Sequence, residues 1–170
     1  MNDAHVHLFV NHFPICGTIL GLGILIASLV LKNKSVQNTA YVLFVISAIF
    51  GFFSMFTGEG AEEMVEDFPG IGKAIIHEHE ELAEKLAIVL YLLGAISVLG
   101  IILNIKNHAK AKFISVVAVI IAIPAVYVSI LVGTSGGEIR HTEIRENYLK
   151  TTGSAEETSP RNYEIKSENN

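Results

Sequence analysis

Residues 86–105 read LAIVLYLLGAISVLGIILNI, an unbroken run with no Asp, Glu, Lys or Arg. A helix rises 1.5 Å per residue, so this run spans about 30 Å, the thickness of a bilayer's hydrocarbon core. Residues 4–31, 35–58 and 113–137 are equally free of charge. Apolar residues make up 51% of the 170-residue chain and charged residues 17%, against roughly 25% charged in an ordinary soluble domain. Mean hydropathy is +0.48. This distribution speaks against a soluble enzyme, a nucleic-acid binder and a disordered chain. It predicts a small polytopic membrane protein.

In lipid every backbone polar group must be paired within its own segment, so the runs are expected to be helices. Coarse spans are 14–31, 39–56, 86–105 and 113–132. The connections 32–38 and 106–112 are short enough to make neighbours antiparallel. The fold class that follows is all-α, an integral membrane up-down-up-down four-helix bundle occupying 1–145. Pro14 reads as a first-turn residue of the first span, and Pro124 as a kink in the fourth. Gly17-x-x-x-Gly21 is a candidate for close helix approach. The remainder, 146–170, is polar and by composition expected to be disordered.

Short basic loops set orientation. Lys32 and Lys34 lie in the first connection, and Lys106, Lys110 and Lys112 in the third. The second connection is acidic, from Glu59 to Glu84. Residues 32–38 and 106–112 are therefore expected in the cytoplasm, with both termini and 57–85 outside. The start of the chain lacks the positive region of a secretory signal, so the first run reads as a retained span. The net charge of −5 argues against electrostatic binding to nucleic acid or anionic lipid. Around Met64, Val65 and Phe68, opposite Glu62, Glu63 and Glu66, the second connection is amphipathic, as a surface segment or a lid would be.

On this topology six of the seven histidines gather at the outer end: His5, His7, His12, His77, His79 and His141. Glu59 and Glu62 reach the same level. Imidazole is the commonest transition-metal ligand and also ligates haem iron. His79 shares a helical stripe with Leu82, Ala83, Leu86 and Leu90, which predicts that it faces the bundle interior. His77 groups instead with Glu80, Glu81 and Glu84, a solvated face. His5 and His12 are seven apart and share a face if the helix begins before residue 5, with His7 rotated away. If the helix begins near His12, the preceding segment is free to fold His7 over the site.

Two chemistries fit. One is a b-type haem between helices, with His12 and His79 as axial ligands, His7 nearby and Arg140 paired to a propionate through its planar fork. The only cysteine is Cys16, and there is no Cys-x-x-Cys-His, which excludes covalently attached c-type haem. The other is a zinc, copper or iron ion held by His7, His12, His77 or His79 with Glu59 or Glu62.

The order and spacing of four motifs resemble a bacterial family of small four-helix membrane proteins catalogued as a domain of unknown function. The motifs are His7-Leu-Phe-Val-Asn-His12-Phe-Pro14, Thr57-Gly58, His79-Glu-Glu-Leu82-Ala and Gly136-Gly137-Glu138-Ile139. Leu8 stands where the family often has proline, and Glu138–His141 replaces a longer apolar-aromatic stretch. The resemblance points to His7, His12, His79 and the Gly136-Gly137 turn. Some members are fused to Rieske or c-type cytochrome domains, which implies a respiratory context in a bacterial inner membrane.

The leading expectation is thus a membrane-bound b-type cytochrome with one haem at the outer end, in electron transfer alone or as a respiratory subunit. A redox partner would approach on the outer face. The alternatives are a non-haem metal protein, or a cofactor-free structural subunit of a membrane assembly. A stand-alone enzyme is less expected: no Ser or Thr neighbours a histidine in a recognisable catalytic pattern.

Overall fold

The computed structural model describes residues 2–145; the expected disordered tail, 146–170, lies outside the described residues. Every regular element among them is helical: α1 (Asp3–Val10), α2 (His12–Leu31), α3 (Lys34–Glu63), α4 (Lys73–Ile105), α5 (Ala111–Arg140) and a 3₁₀ turn (Thr142–Ile144). Helices α2 to α5 form the expected four-helix bundle. Each is long and apolar enough to cross a membrane, α2 together with α1.

The helices outrun the apolar stretches. The third span was expected over 86–105, but α4 begins at Lys73; the second was expected to end at 56, but α3 continues to Glu63. The long acidic connection therefore shrinks to 64–72. Hydropathy marks where lipid ends, whereas a helix satisfies its own hydrogen bonds and can continue into water. About 20 residues of each helix are needed for the hydrocarbon core. Residues 3–11, 57–63, 73–85 and 133–140 lie beyond the expected spans at one end of the bundle, here called the histidine end. The lysine-bearing connections mark the other.

Local chemistry explains the boundaries. Asn2 caps α1 by accepting from the His5 backbone N–H at 3.0 Å. Pro14 has no N–H to donate to Val10, four residues back, and the helical run is interrupted at Asn11, between the two. At the lysine end Lys32 adopts φ 51°, and Asn33 accepts from the Ser35 and Val36 backbone N–H groups. Helix α5 runs unbroken through Pro124.

Burial is inverted relative to a water-soluble bundle. Val30, Phe56, Ile88 and Phe113 point outward, while Thr18, Ser47, Ser97, Ser115 and Ser129 are fully enclosed. Apolar exteriors with small hydroxyl residues inside are what lipid selects, because helices there gain by close approach. All five hydroxyls donate to their own helix, as Ser97 does to Leu93 O at 2.7 Å. The core is Leu25, Ala40, Tyr41, Phe44, Leu93, Ala118, Ala122 and Ala125. Gly21 faces the Phe44 ring and Gly100 the Tyr41 ring, each with too little room for a methyl group.

The lysine end is locked by amides. Asn104 donates through Nδ2 to Gln37 Oε1 and to Asn38 Oδ1, both at 2.8 Å, and Gln37 Nε2 donates to Ser115 Oγ. Three helices, α3, α4 and α5, are pinned there.

Candidate ligand site at the histidine end

Two glycines bring α1 to the site. Helix α1 lies along the projecting end of α3, where Gly58 faces His7 and Gly60 faces Asp3. A side chain at position 60 would strike the Asp3 carboxylate, with its Cβ 2.7 Å from Oδ2. His5 lies on α1 and His12 opens α2, across the break at Asn11, and both are exposed. His7 turns inward toward α3.

His7 Nδ1 lies 3.1 Å from the Ser54 carbonyl and 3.2 Å from Thr57 Oγ1. A carbonyl only accepts, and the Thr57 hydroxyl hydrogen is spent on Phe53 O at 2.9 Å. The His7 proton therefore sits on Nδ1. On α4, His79 Nδ1 lies 3.0 Å from Ser135 Oγ, whose own hydrogen goes to Val132 O at 3.2 Å. The same reasoning protonates His79 at Nδ1. Both rings thus keep an Nε2 lone pair, and neither Nε2 has a hydrogen-bond partner among the described residues.

Their electrostatics agree. Burial pushes the His7 pKa down, partly offset by the Ser54 bond. Burial also lowers His79, and the neighbouring His7 lowers it further, against the Val132 carbonyl and the Glu80 charge. Two half-buried imidazoles near enough to repel each other's proton favour the neutral form, the form that ligates. An Nδ1–H donated to a protein oxygen also fixes ring orientation and leaves Nε2 for a ligand.

The other candidate residues fall elsewhere. His12, expected opposite His79, is exposed, its Nδ1 donating to Leu8 O at 2.8 Å. His77 faces water beside Glu80 and Glu81, at 3.8 and 3.4 Å. His141 pairs with Glu143 at 2.8 Å. Glu59 is exposed. Glu62 is half-buried, and its interaction with the Glu80 carboxyl, then burial and the Glu66 charge, raise its pKa, against Lys73. Arg140 is exposed and stands 5.2 Å over the Phe68 ring. Among the described residues no three His, Cys, Asp or Glu side chains come together in a metal-holding group.

Sequence reasoning missed the orienting residues Ser54 and Ser135. At Ser54 the partner is the backbone carbonyl, which has no side-chain signature. At Ser135 it is the hydroxyl, and a serine in an apolar helix more often bonds its own backbone, so only its position opposite a histidine on another helix marks it. Comparison with known protein families, characterised proteins and solved structures found no match for this chain.

Proposed function

We propose that this chain is a membrane-anchored b-type haem protein, with His7 and His79 as the iron ligands and a role in electron transfer. The observation that carries the reading is the pair of oriented Nδ1–H imidazoles, on different helices, with both Nε2 lone pairs free. A porphyrin supplies four of the iron's six donors and asks the protein for one or two. A bare zinc, copper or iron ion asks for three or more. Among the described residues no third His, Cys, Asp or Glu side chain joins the pair in a metal-holding group, which favours haem over a non-haem ion.

The two residues would hold the group as follows. His7 is steadied by Ser54 and Thr57, and His79 by Ser135, so neither ring needs to reorient on binding. Gly58 and Gly136 face the rings without side chains. Arg140 makes no ion pair among the described residues and is free to take a propionate. A bound haem would supply a one-electron couple, and half-burial of its ligands is one of the levers on its potential.

The lysine-rich connections favour a cytoplasmic lysine end, so the histidine end would face outward and meet its redox partner there, in a bacterial inner membrane. The family resemblance carries the same respiratory implication. The protein reads as an electron-transfer or assembly subunit rather than a stand-alone enzyme.

The test is an absorption spectrum of detergent-purified protein, oxidised and then dithionite-reduced, from cells supplied with haem. A Soret band with sharp α and β bands on reduction is expected. A featureless spectrum with stoichiometric metal would transfer the site to a non-haem ion, and an empty sample would leave a structural subunit.

A further inference from the structure

Residues 64–72 join α3 to α4, which are neighbours, yet the segment does not simply turn between them. It reaches the far end of α5. Arg145 donates through Nη1 to Gly70 O at 2.9 Å, while its Nε donates to Glu138 O at 2.7 Å and its Nη2 to Ile139 O at 3.0 Å. Arg140 stands over Phe68 of the same segment. Gly70 has φ +83°, a backbone conformation L side chains rarely adopt, and it faces the Thr142 methyl.

The segment lies one layer above the histidines. Thr57, which holds His7, is six residues before the end of α3; His79 is six residues into α4; Ser135 is five residues before the end of α5. At 1.5 Å per residue these partners sit about 7.5–9 Å along the axes from the helix ends at the level of the segment.

Its attachments differ in strength. Asp67, Phe68, Pro69 and Gly70 are exposed and bury little apolar surface, which places the segment at the easily opened end of the stability range. Lys73 to Glu66, at 3.1 Å, is a surface ion pair of small worth. Among the described residues the Arg145 fork is the one hydrogen-bonded link between 64–72 and α5, beside the Arg140–Phe68 stacking, and it retains two bonds to α5 if it releases Gly70.

We propose that residues 64–72 form a lid over the His7–His79 pair, latched by Arg145 on Gly70, and that the pair is reached from water by opening this latch. The inference holds for any ligand of the pair and does not depend on haem.

The test uses the full chain in detergent without added ligand. Diethyl pyrocarbonate modifies neutral imidazoles, and mass spectrometry reads each histidine separately. In Arg145→Ala, His7 and His79 should label faster by on the order of tenfold, the scale of one lost charge-assisted hydrogen bond on an opening equilibrium. Exposed His5, His12 and His77 should label at unchanged rates. Amides of 64–72 should exchange faster with deuterium while those of 115–125 stay as in the parent. Unchanged amide exchange in 64–72 would overturn the latch, and faster exchange with unchanged His79 labelling would overturn the lid. If Arg145→Ala fails to fold, Arg145→Gln removes the fork at similar length and is read the same way.

Discussion

Gly136 lies against the His79 imidazole so closely that a methyl group on its Cα would stand 3.0 Å from Cε1 and 3.4 Å from Nδ1. The absent side chain is thus part of how the ring is held. In Gly136→Ala the ring must shift by a few tenths of an ångström and strain its bond to Ser135. Overall stability should change by less than about 1 kcal/mol, because helix propensity gained offsets local overpacking. Haem retention should fall several-fold. Unfolding in a mixed-detergent titration and a reduced-minus-oxidised spectrum, taken on the same preparation, separate the two effects.

The histidines divide by orientation. His7→Ala and His79→Ala should each abolish the bis-histidine spectrum, and His12→Ala should leave it intact, since the His12 ring is exposed and its Nδ1 is spent on Leu8. Loss of the spectrum in His12→Ala with retention in His7→Ala would reinstate the His12–His79 pairing.

Acidification should loosen the histidine end. His7 and His79 have folded-state pKa values below the ordinary 6.5, so the unfolded chain binds more protons than the folded one near that pH. Their contribution is complete above pH 6.5 and is lost as pH falls through the folded values. Glu62, raised above 4.5, acts oppositely: its contribution is present below that value and fades as pH rises. Melting temperature should drop between pH 8 and pH 5.5, and the drop should largely vanish in a His7→Gln/His79→Gln double variant. A parallel drop in that variant would assign the effect to other groups.

Helix contacts in the span sort the glycines. At Gly100 a Cβ would meet the enclosed Tyr41 ring at 2.5 Å, and at Gly23 it would meet nothing within 4 Å. Gly100→Ala should destabilise by about 1–3 kcal/mol despite better helix propensity. Gly23→Ala should be neutral or stabilise by up to about 1 kcal/mol. Equilibrium unfolding in detergent compares them directly.

The bundle was legible because lipid is an unforgiving solvent: charge-free runs such as 86–105 have one viable conformation there. Beyond the hydrocarbon that constraint lapses. The projecting turns of α3 and α4 carry Glu59, Glu62, Glu63, Glu78, Glu80 and Glu81, and their acidity reads as loop although their backbone is helical. The inward direction of His79 could be seen in its stripe, where Leu86 and Leu90 are buried in the structure. His7 could not, because α1 has apolar residues on both faces; the choice between His7 and His12 rests on Gly58 and Gly60 admitting α1 along α3. The tautomers were out of reach altogether, since Ser54 and Ser135 become partners only when distant helices meet.

The histidine pair is assembled from the first and later portions of the chain: His7 leans on Thr57, and His79 on Ser135. During synthesis His7 therefore emerges long before any of its companions, and its resting place on α3 does not exist until the second crossing is made. Ser135 comes later still, near the C-terminal end of α5. The two rings are therefore fixed by different partners, His7 by α3 and His79 by α5, and the oriented pair is complete only when both helices are in place.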